Sequence, residues 1–203
     1  MKLLYGTKNE AKLAAMRRTL SSSSLGLEII GLNDLNTKVP DVEEIGNSPL
    51  ENAVIKAKAY YREFHIPVFS CDSGLFFNGF PEELQPGVHV RTINGIYLTD
   101  DEVISYYSNV AIKYGDITAR YKNAICLLID ENTIYKSIAD NLSGDTFIIT
   151  SKPHNKRVKG FPLDCLSIHI PTGKYYYDID NYEVGGVELE NGFIEFFEKT
   201  LLD

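Results

Sequence analysis

The first twenty residues change from a strand pattern to a helix pattern at a polar turn. Lys2–Gly6 is a short apolar run that ends at glycine, which is typical of a buried strand. Asn9–Leu20 then has apolar residues at 13, 16 and 20 among strong helix formers, which predicts a helix. The turn between them would present free backbone N–H groups at a helix N-terminus, where phosphate binds readily. The alternative is an asparagine N-cap with surface lysines.

The rest of the chain predicts both helices and strands. Strands are expected at Glu28–Gly31 and Ile66–Cys71, and a hairpin at Thr118–Ile129 and Thr133–Leu142 that turns at 130–132. Helices are expected from Pro49 to about Phe64, at Asp100–Tyr114 and at Gly192–Leu202. The aromatic side of the last helix indicates core packing. The pattern predicts a mixed α/β fold, with a parallel portion early and antiparallel strands later.

Charge is distributed unevenly along the 203 residues. The net charge is −8, yet residues 1–20 and 151–160 each carry +4, so the remaining chain carries −16. The overall acidity disfavours a nucleic-acid polymer or an anionic membrane as partner, while two small positive segments suit a small anion. Solvated surface is the alternative reading of such segments.

Membrane and secreted classes are also disfavoured. No apolar run approaches the roughly 18 residues of a spanning helix, and Met1–Tyr5 reaches polar sequence too early for a secretory signal. Cys71, Cys126 and Cys165 are odd in number and widely spaced, which is typical of reduced thiols in a cytoplasmic protein.

Several acidic residues are candidates for a metal site. Asp41, Glu43, Glu44 and Glu51 come from one stretch, and Asp72 follows a predicted strand. Carboxylates from separate segments can hold Mg²⁺, which prefers oxygen ligands. The alternative is a set of solvated acids. Cys71 is a poor candidate nucleophile, because the neighbouring carboxylate disfavours its thiolate.

The basic segment leads into a third candidate cluster. Residues 151–159 contain four cations, and Gly160-Phe161-Pro162-Leu163-Asp164 follows them. A flexible surface loop is the alternative interpretation of this region.

Four motifs follow one another along the chain: Thr7-Lys8-Asn9-Glu10-Ala11-Lys12, Glu43-Glu44-Ile45-Gly46 with the helix that follows it, Cys71-Asp72-Ser73-Gly74-Leu75, and Pro86-Gly87-Val88-His89-Val90-Arg91. In content and order they resemble the motifs of the inosine triphosphate pyrophosphatase family, and the resemblance covers roughly residues 3–174.

The resemblance implies a single two-lobed pyrophosphatase domain, with a mixed sheet, flanking helices and a nucleotide cleft between the lobes. It implies hydrolysis of ITP, dITP or XTP to the monophosphate and pyrophosphate, dependence on Mg²⁺, and usually a homodimer. By position, Thr7, Asn9 and Lys12 would bind the triphosphate, Glu43 and Asp72 would hold Mg²⁺, and Asp72 would also be the base. The remaining substrate-binding residues by position are Ser73, Arg91, Phe161, Asp164 and Lys174.

The sequence departs from the family mainly where the base is read. The family's Gly-Phe-Gly-Tyr-Asp is Gly160-Phe161-Pro162-Leu163-Asp164, and its Ser-His-Arg has no counterpart in the corresponding stretch 181–186. Cys71 replaces an aspartate. Phosphate handling is therefore expected to be retained and base selection to be rebuilt, with Lys152, His154, Lys156, Arg157 and Lys159 as candidate replacement contacts to phosphate or base. Two alternatives stay open: a catalytically weak nucleotide-binding module, and a hydrolase of a modified pyrimidine or nucleoside diphosphate derivative.

Overall fold

The computed structural model describes residues 1–179 and 186–202, which form two compact units. The first unit comprises Met1–Ser73, Lys122–Ser143 and Val187–Asp203, and the second comprises Gly74–Tyr121 and Gly144–Gly186. In chain order the elements are β1 (Lys2–Tyr5), α1 (Glu10–Ser21), β2 (Glu28–Gly31), α2 (Pro49–Phe64), β3 (Val68–Phe77), β4 (Thr92–Ile93), β5 (Ile96–Tyr97), α3 (Asp100–Tyr114), β6 (Ile117–Leu128), β7 (Ile134–Ser137), β8 (Phe147–Ile149), β9 (Ser167–His169), β10 (Lys174–Tyr175) and α4 (Gly186–Leu201).

The first unit contains the parallel part of the sheet. β1 lies between β2 and β3 and is parallel to both, while the carboxyl half of β6 pairs antiparallel with β7. Its core packs α1 and α4 against these strands: Tyr5 stacks on Phe69 with ring centroids 4.5 Å apart, and Phe69 meets Phe197 edge to face at 5.0 Å. The buried Phe196 and Phe197 confirm that the aromatic side of the last helix is core.

The second unit contains antiparallel pairs. The amino half of β6 pairs with β8, β8 with β9, and β9 with β10. Helix α3 buries Val103, Ile104, Tyr107 and Ala111 in this unit's core. The predicted mixed α/β architecture, a mixed sheet with flanking helices, is thus confirmed.

Three predicted boundaries were wrong. β3 continues to Phe77 instead of ending at Cys71, because the residues after Cys71 find hydrogen-bond partners on neighbouring segments. Asp72 and Ser73 are hydrogen-bonded to side chains, and the Leu75 N–H and C=O both bond to Gly87. β7 ends at Ser137, and a 3₁₀ turn at Asp140–Leu142 replaces the rest of the predicted strand.

The third wrong boundary is the start of α4. The helix begins at Gly186, and Gly192, predicted as its first residue, lies inside it. A Cβ at Gly192 would come within 2.2 Å of the Asn141 carbonyl oxygen. The glycine therefore permits close approach of the helix to Asn141 and does not mark a helix end.

No helix among the described residues is both long enough and apolar enough to cross a membrane. All three cysteines are free and buried, as expected for reduced thiols.

Candidate functional site

Parallel pairing places two of the predicted clusters in neighbouring positions of the first unit. Tyr5, the last residue of β1, is in register with Phe69 of β3, so β3 extends beyond the end of its neighbour. Gly6, the first residue of the loop that leaves β1, therefore lies next to Ser70 of β3. A Cβ at Gly6 would come within 2.2 Å of the Ser70 hydroxyl oxygen, so only glycine allows the two segments to lie this close.

Asn9 caps the helix that follows this loop. Its side-chain oxygen accepts hydrogen bonds from the N–H groups of Ala11 at 2.9 Å and Lys12 at 3.1 Å, and its own N–H donates to the Thr7 hydroxyl at 3.2 Å. The structural alternative, an asparagine N-cap, is therefore confirmed. Capping uses only the side-chain oxygen of Asn9. Its amide nitrogen takes no part in the cap, so one residue can cap the helix and also donate to a ligand.

The lysines of this turn differ in their surroundings. The ammonium group of Lys8 pairs with Asp41 at 2.7 Å, and this contact raises the pKa of Lys8 and lowers that of Asp41. Lys12, in the first turn of α1, is exposed. Asp41 is thus engaged by a lysine of the phosphate-binding candidate loop, apart from the other acids.

Asp72 is the centre of a buried polar cluster. The residue is 8% exposed, its Oδ2 accepts from the Asn52 side-chain amide at 3.0 Å, and its Oδ1 lies 3.0 Å from the Lys56 ammonium group. Asn52 and Lys56 are one helical turn apart on α2, so one face of that helix contacts both carboxylate oxygens. Buried carboxylates need such partners, and here they fix the orientation of the group.

Glu44 completes the cluster. Its Oε1 lies 3.3 Å from the Lys56 ammonium group, which therefore bridges Glu44 and Asp72. Burial raises the pKa of Glu44, the Lys56 charge opposes that shift, and Asp72 adds to it. Glu43, predicted as a metal ligand, and Glu44 are both exposed, and Glu44 is the one that interacts with Lys56 and Asp72.

The helix start holds this cluster in place. Ser48 caps α2 by accepting from the Glu51 N–H at 3.2 Å, and Glu51 accepts from the Asn47 N–H at 2.7 Å. The Asn52 side-chain oxygen accepts from the Gly46 N–H at 2.8 Å, and a Cβ at Gly46 would come within 2.7 Å of that oxygen. Glu51 thus serves the helix N-terminus rather than the acidic cluster.

The two carboxylates near Lys56 fit a Mg²⁺ ion that also takes ligands from its substrate and from water. Among residues 1–179 and 186–202, no group of three or more His, Cys, Asp or Glu residues is placed to hold a metal ion. Asp72 and Glu44 supply two carboxylates, and Mg²⁺ is commonly bound by one or two carboxylates, with water and phosphate oxygens completing its shell.

Two further residues of β3, Ser73 and Cys71, flank Asp72. The Ser73 hydroxyl donates to the Asn123 side-chain oxygen at 2.6 Å, and the Asn123 amide donates to the Leu142 carbonyl at 2.6 Å. Burial raises the pKa of the Cys71 thiol to about 12, which supports the rejection of Cys71 as a nucleophile.

The remaining predicted site residues belong to the second unit. Arg91 pairs with Asp100 at 2.6 Å and donates to the Gly160 carbonyl at 3.1 Å. Phe161 is 44% exposed, whereas Leu163 is 3% exposed and belongs to the core. Burial raises the pKa of the half-buried Asp164 to about 6. Lys174 is exposed at the start of β10.

The basic segment has structural contacts of its own. The His154 ring centroid lies 5.2 Å from that of Tyr175 and 5.6 Å from that of Tyr177, and its Nε2 is 3.3 Å from Asp178. The Lys156 ammonium group lies 4.8 Å from the Tyr177 ring centroid, and the Arg157 guanidinium donates to nearby backbone carbonyls. Three of its five candidate contacts thus organise the segment itself. The stretch 181–185, where the family's Ser-His-Arg would fall, lies outside the described residues.

Sequence reasoning missed Lys56 and Asn52 as partners of Asp72, and Asp100 as the partner of Arg91. Asn52 and Lys56 are four apart, which places them on one face of a helix, but only the fold brings that face to Asp72. No comparable local signal links Asp100 to Arg91.

Comparison with known protein sequences shows the family of this chain. Residues 3–174 match the model of the Ham1 family. A dITP/XTP pyrophosphatase of Malacoplasma penetrans (strain HF-2) is 30% identical over 162 residues, which cover 72% of this chain and 77% of that protein. A protein of the same name from Treponema denticola is 30% identical over 153 residues, covering 72% and 73%. These matches confirm the resemblance carried by the four motifs.

Solved structures agree in fold. A HAM1 protein from Coxiella burnetii aligns with a TM-score of 0.77 at 24% identity, covering all of this chain and 98% of that one. The Ham1 protein of Staphylococcus aureus aligns with a TM-score of 0.73 at 19% identity, covering 98% and 99%.

Proposed function

This chain belongs to the Ham1 family, and from that premise we propose that it hydrolyses dITP, XTP and related non-standard purine nucleoside triphosphates to the monophosphate and pyrophosphate. Two relatives that align with about seven tenths of the chain are named dITP/XTP pyrophosphatases, which supports both the reaction and the substrate class. The observation that carries the proposal is the buried Asp72 carboxylate, which Asn52 and Lys56 orient. Asp72 comes two residues after Ser70, which lies against Gly6 in the loop before α1.

The loop and the first turn of α1 suit the triphosphate. Backbone N–H groups and the helix dipole attract phosphate, and Lys12 adds a positive charge there. We assign Thr7, Asn9 and Lys12 to phosphate binding. Lys56 is a further candidate, because its ammonium group is the positive charge next to Asp72.

Asp72 suits the role of general base. In the proposed step a water oxygen bonds to the α-phosphorus, the bond from that phosphorus to the bridging oxygen breaks, and pyrophosphate leaves. The proton of the water passes to the Asp72 carboxylate. The hydrogen bond from Asn52 and the contact with Lys56 orient the two oxygens of Asp72 before reaction, which general-base catalysis requires.

Mg²⁺ is the proposed cofactor, held by Asp72 with Glu43 or Glu44 and by the phosphates. When bound it would neutralise phosphate charge that otherwise repels the attacking water. Glu44 is the better placed of the two glutamates, because it shares Lys56 with Asp72.

Base recognition is assigned to Phe161 and Asp164, with Arg91, Lys174 and Ser73 as further substrate-binding candidates. The exposed Phe161 ring can stack on a base, and an Asp164 carboxyl with a raised pKa can donate or accept a hydrogen bond near pH 6. Leu163 makes no such contact, since its side chain is buried in the core.

A panel assay tests the proposed function. The purified protein is incubated with dITP, XTP, dUTP and the common nucleoside triphosphates, with and without Mg²⁺, and pyrophosphate and orthophosphate are measured separately. We expect pyrophosphate from dITP and XTP with Mg²⁺. Orthophosphate as the product would support another hydrolase, and nucleotide binding without turnover would support the binding module. Light scattering of the same sample tests the proposed homodimer.

The Asp72→Asn variant tests the assigned base. Asparagine retains the shape of the side chain but accepts no proton, so turnover of dITP should fall at least about a hundredfold. Circular dichroism and the urea midpoint show whether the fold is retained. Exposed Asp145 is the matched control, since Asp145→Asn makes the same chemical change away from the cluster. Full turnover in Asp72→Asn would exclude this residue as the base.

A further inference from the structure

One backbone unit of the second unit, at Gly160, is held through both of its polar groups. The Gly160 N–H donates to Asp100 Oδ2 at 2.8 Å, and the Gly160 carbonyl accepts from Arg91 Nη2 at 3.1 Å. Arg91 and Asp100 are themselves paired, with Nη2 2.6 Å from Oδ1. We call these three residues the Gly160 latch. Charge-assisted hydrogen bonds of this kind are stronger than neutral ones.

Helix α3 fixes the position of Asp100 in the latch. Asp100 is the first residue of α3, directly after Thr99, which forms a capping box with Glu102. The helix buries four side chains in the core of its unit. The Gly160 N–H and the Arg91 guanidinium, in that order, lower the pKa of Asp100, so the contacts that hold the glycine also favour the charged carboxylate.

The segment beyond the latch contains the residues assigned to the base. Gly160 has φ of +86°, a conformation that L side chains rarely adopt, and Phe161 and the 3₁₀ turn Pro162–Leu166 follow it. Pro162, Leu163, Cys165 and Leu166 are buried, which anchors the turn on its carboxyl side. On the amino side the exposed Phe161 is adjacent to the latch.

We propose that Arg91 and Asp100 are positioning residues that fix Gly160 and thereby hold Phe161 and Asp164 in the arrangement that selects the nucleobase. In this proposal Arg91, also a substrate-binding candidate, acts through Gly160. This rests on the proposed function. Phe161 lies between a core-anchored turn and the latch, so releasing Gly160 frees the ring to rotate away from its stacking position. A displacement of about 1 Å at a positioned group can cost as much as a hundredfold in rate.

The test compares variants by kinetics and by hydrogen exchange. Asp100→Ala removes the acceptor of the Gly160 N–H and the partner of Arg91. Arg91→Gln removes the positive charge. Arg91→Lys keeps the charge but loses the planar fork that reaches Asp100 and Gly160 together. Asp101→Ala is the matched control: Asp101 is exposed, lies in the same first turn of α3 and carries the same charge. Kinetic constants are measured for dITP and for dGTP, and amide exchange is followed by mass spectrometry in peptides that cover 156–164.

The proposal predicts a specific pattern. In Asp100→Ala and Arg91→Gln, the ratio of kcat/KM for dITP to that for dGTP should fall about tenfold, the scale of one charged hydrogen bond. Most of the loss should lie in KM. Exchange at 158–161 should accelerate about tenfold, while Asp101→Ala leaves both readouts unchanged. Arg91→Lys should fall between the wild type and Arg91→Gln.

Each contrary result has its own meaning. Unchanged exchange in Asp100→Ala would overturn the latch. Faster exchange with an unchanged substrate ratio would overturn its role in selection, since a merely structural contact would lower both activities alike. If the wild-type protein hydrolyses no nucleoside triphosphate, the proposed function fails and the selection role with it. The exchange data would still show whether the latch holds Gly160.

Discussion

Asp164 is a half-buried carboxyl group whose pKa burial raises from 3.8 to about 6. Between these values the folded protein binds the proton more tightly than the unfolded chain does, so this group's contribution to stability falls as pH rises from about 4 to about 6. Asp164→Asn should therefore increase the free energy of unfolding at pH 7, on the order of 1 kcal/mol after allowance for its partial exposure, and change it little at pH 4.

Urea denaturation of wild type and variant at both pH values measures this difference. Asp145→Asn, at an exposed site of the same unit, is the control and should not show the pH-dependent gain. An equal effect of Asp164→Asn at pH 4 and pH 7 would mean that the benefit comes from something other than ionisation.

Single residues of the site were predicted where a motif marks them, and missed where only the fold does. Asp72 and Asn9 stand in recognisable patterns, and the structure gives each a defined polar environment. Lys56 and Asp100 were missed because their partners lie 16 and 9 residues away, and only the packing of α2 and the start of α3 brings them together. Pair contacts of this kind depend on tertiary structure, which periodicity does not encode.

At the scale of elements, helix α1 depends on its cap at Asn9. Asn9→Ala removes an acceptor for two backbone N–H groups and should destabilise the protein by about 1 kcal/mol. Asn9→Asp keeps the cap but adds a negative charge where the phosphates are proposed to bind. We expect near wild-type stability for Asn9→Asp and a KM for dITP raised about tenfold.

Thermal unfolding and steady-state kinetics separate the two roles of this residue. If Asn9→Asp has both wild-type stability and wild-type KM, Asn9 is a cap alone and has no part in phosphate binding.

Helix α4 supplies a second element-scale prediction at Gly192. Alanine forms helices better than glycine, but a Cβ here would come within 2.2 Å of the Asn141 carbonyl oxygen. Gly192→Ala should thus destabilise the protein by about 1–3 kcal/mol, the usual cost of overpacking. Asn191→Ala, at the exposed neighbouring position, should be neutral or slightly stabilising. Urea midpoints compare the two, and a stabilised Gly192→Ala would show that the contact relaxes freely.

Most elements were predictable because their patterns are local. Glu28–Gly31, Pro49–Phe64 and Asp100–Tyr114 match the structure at both ends. The errors arose where glycine or polar residues suggest an end that the element does not have: β3 continues beyond Cys71, and α4 begins before Gly192.

At the scale of the whole molecule, the charge distribution predicts which anions bind. A net charge of −8 repels a long polyanion, while the exposed Lys12 in the first turn of α1 offers a positive charge to a small one. Inorganic tripolyphosphate should inhibit dITP hydrolysis competitively, whereas a 30-nucleotide single-stranded DNA should not inhibit it at about 150 mM salt. Initial rates with each competitor measure this. Inhibition by the oligonucleotide at that salt concentration would contradict the prediction.

The division of the chain between the two units has a consequence for its genetics. The chain passes between the units at 73–74, 121–122, 143–144 and 186–187, so neither unit is one continuous segment. A premature stop codon within 74–186 removes the last segment of the first unit and truncates the second. No single continuous fragment of the gene therefore encodes either unit by itself.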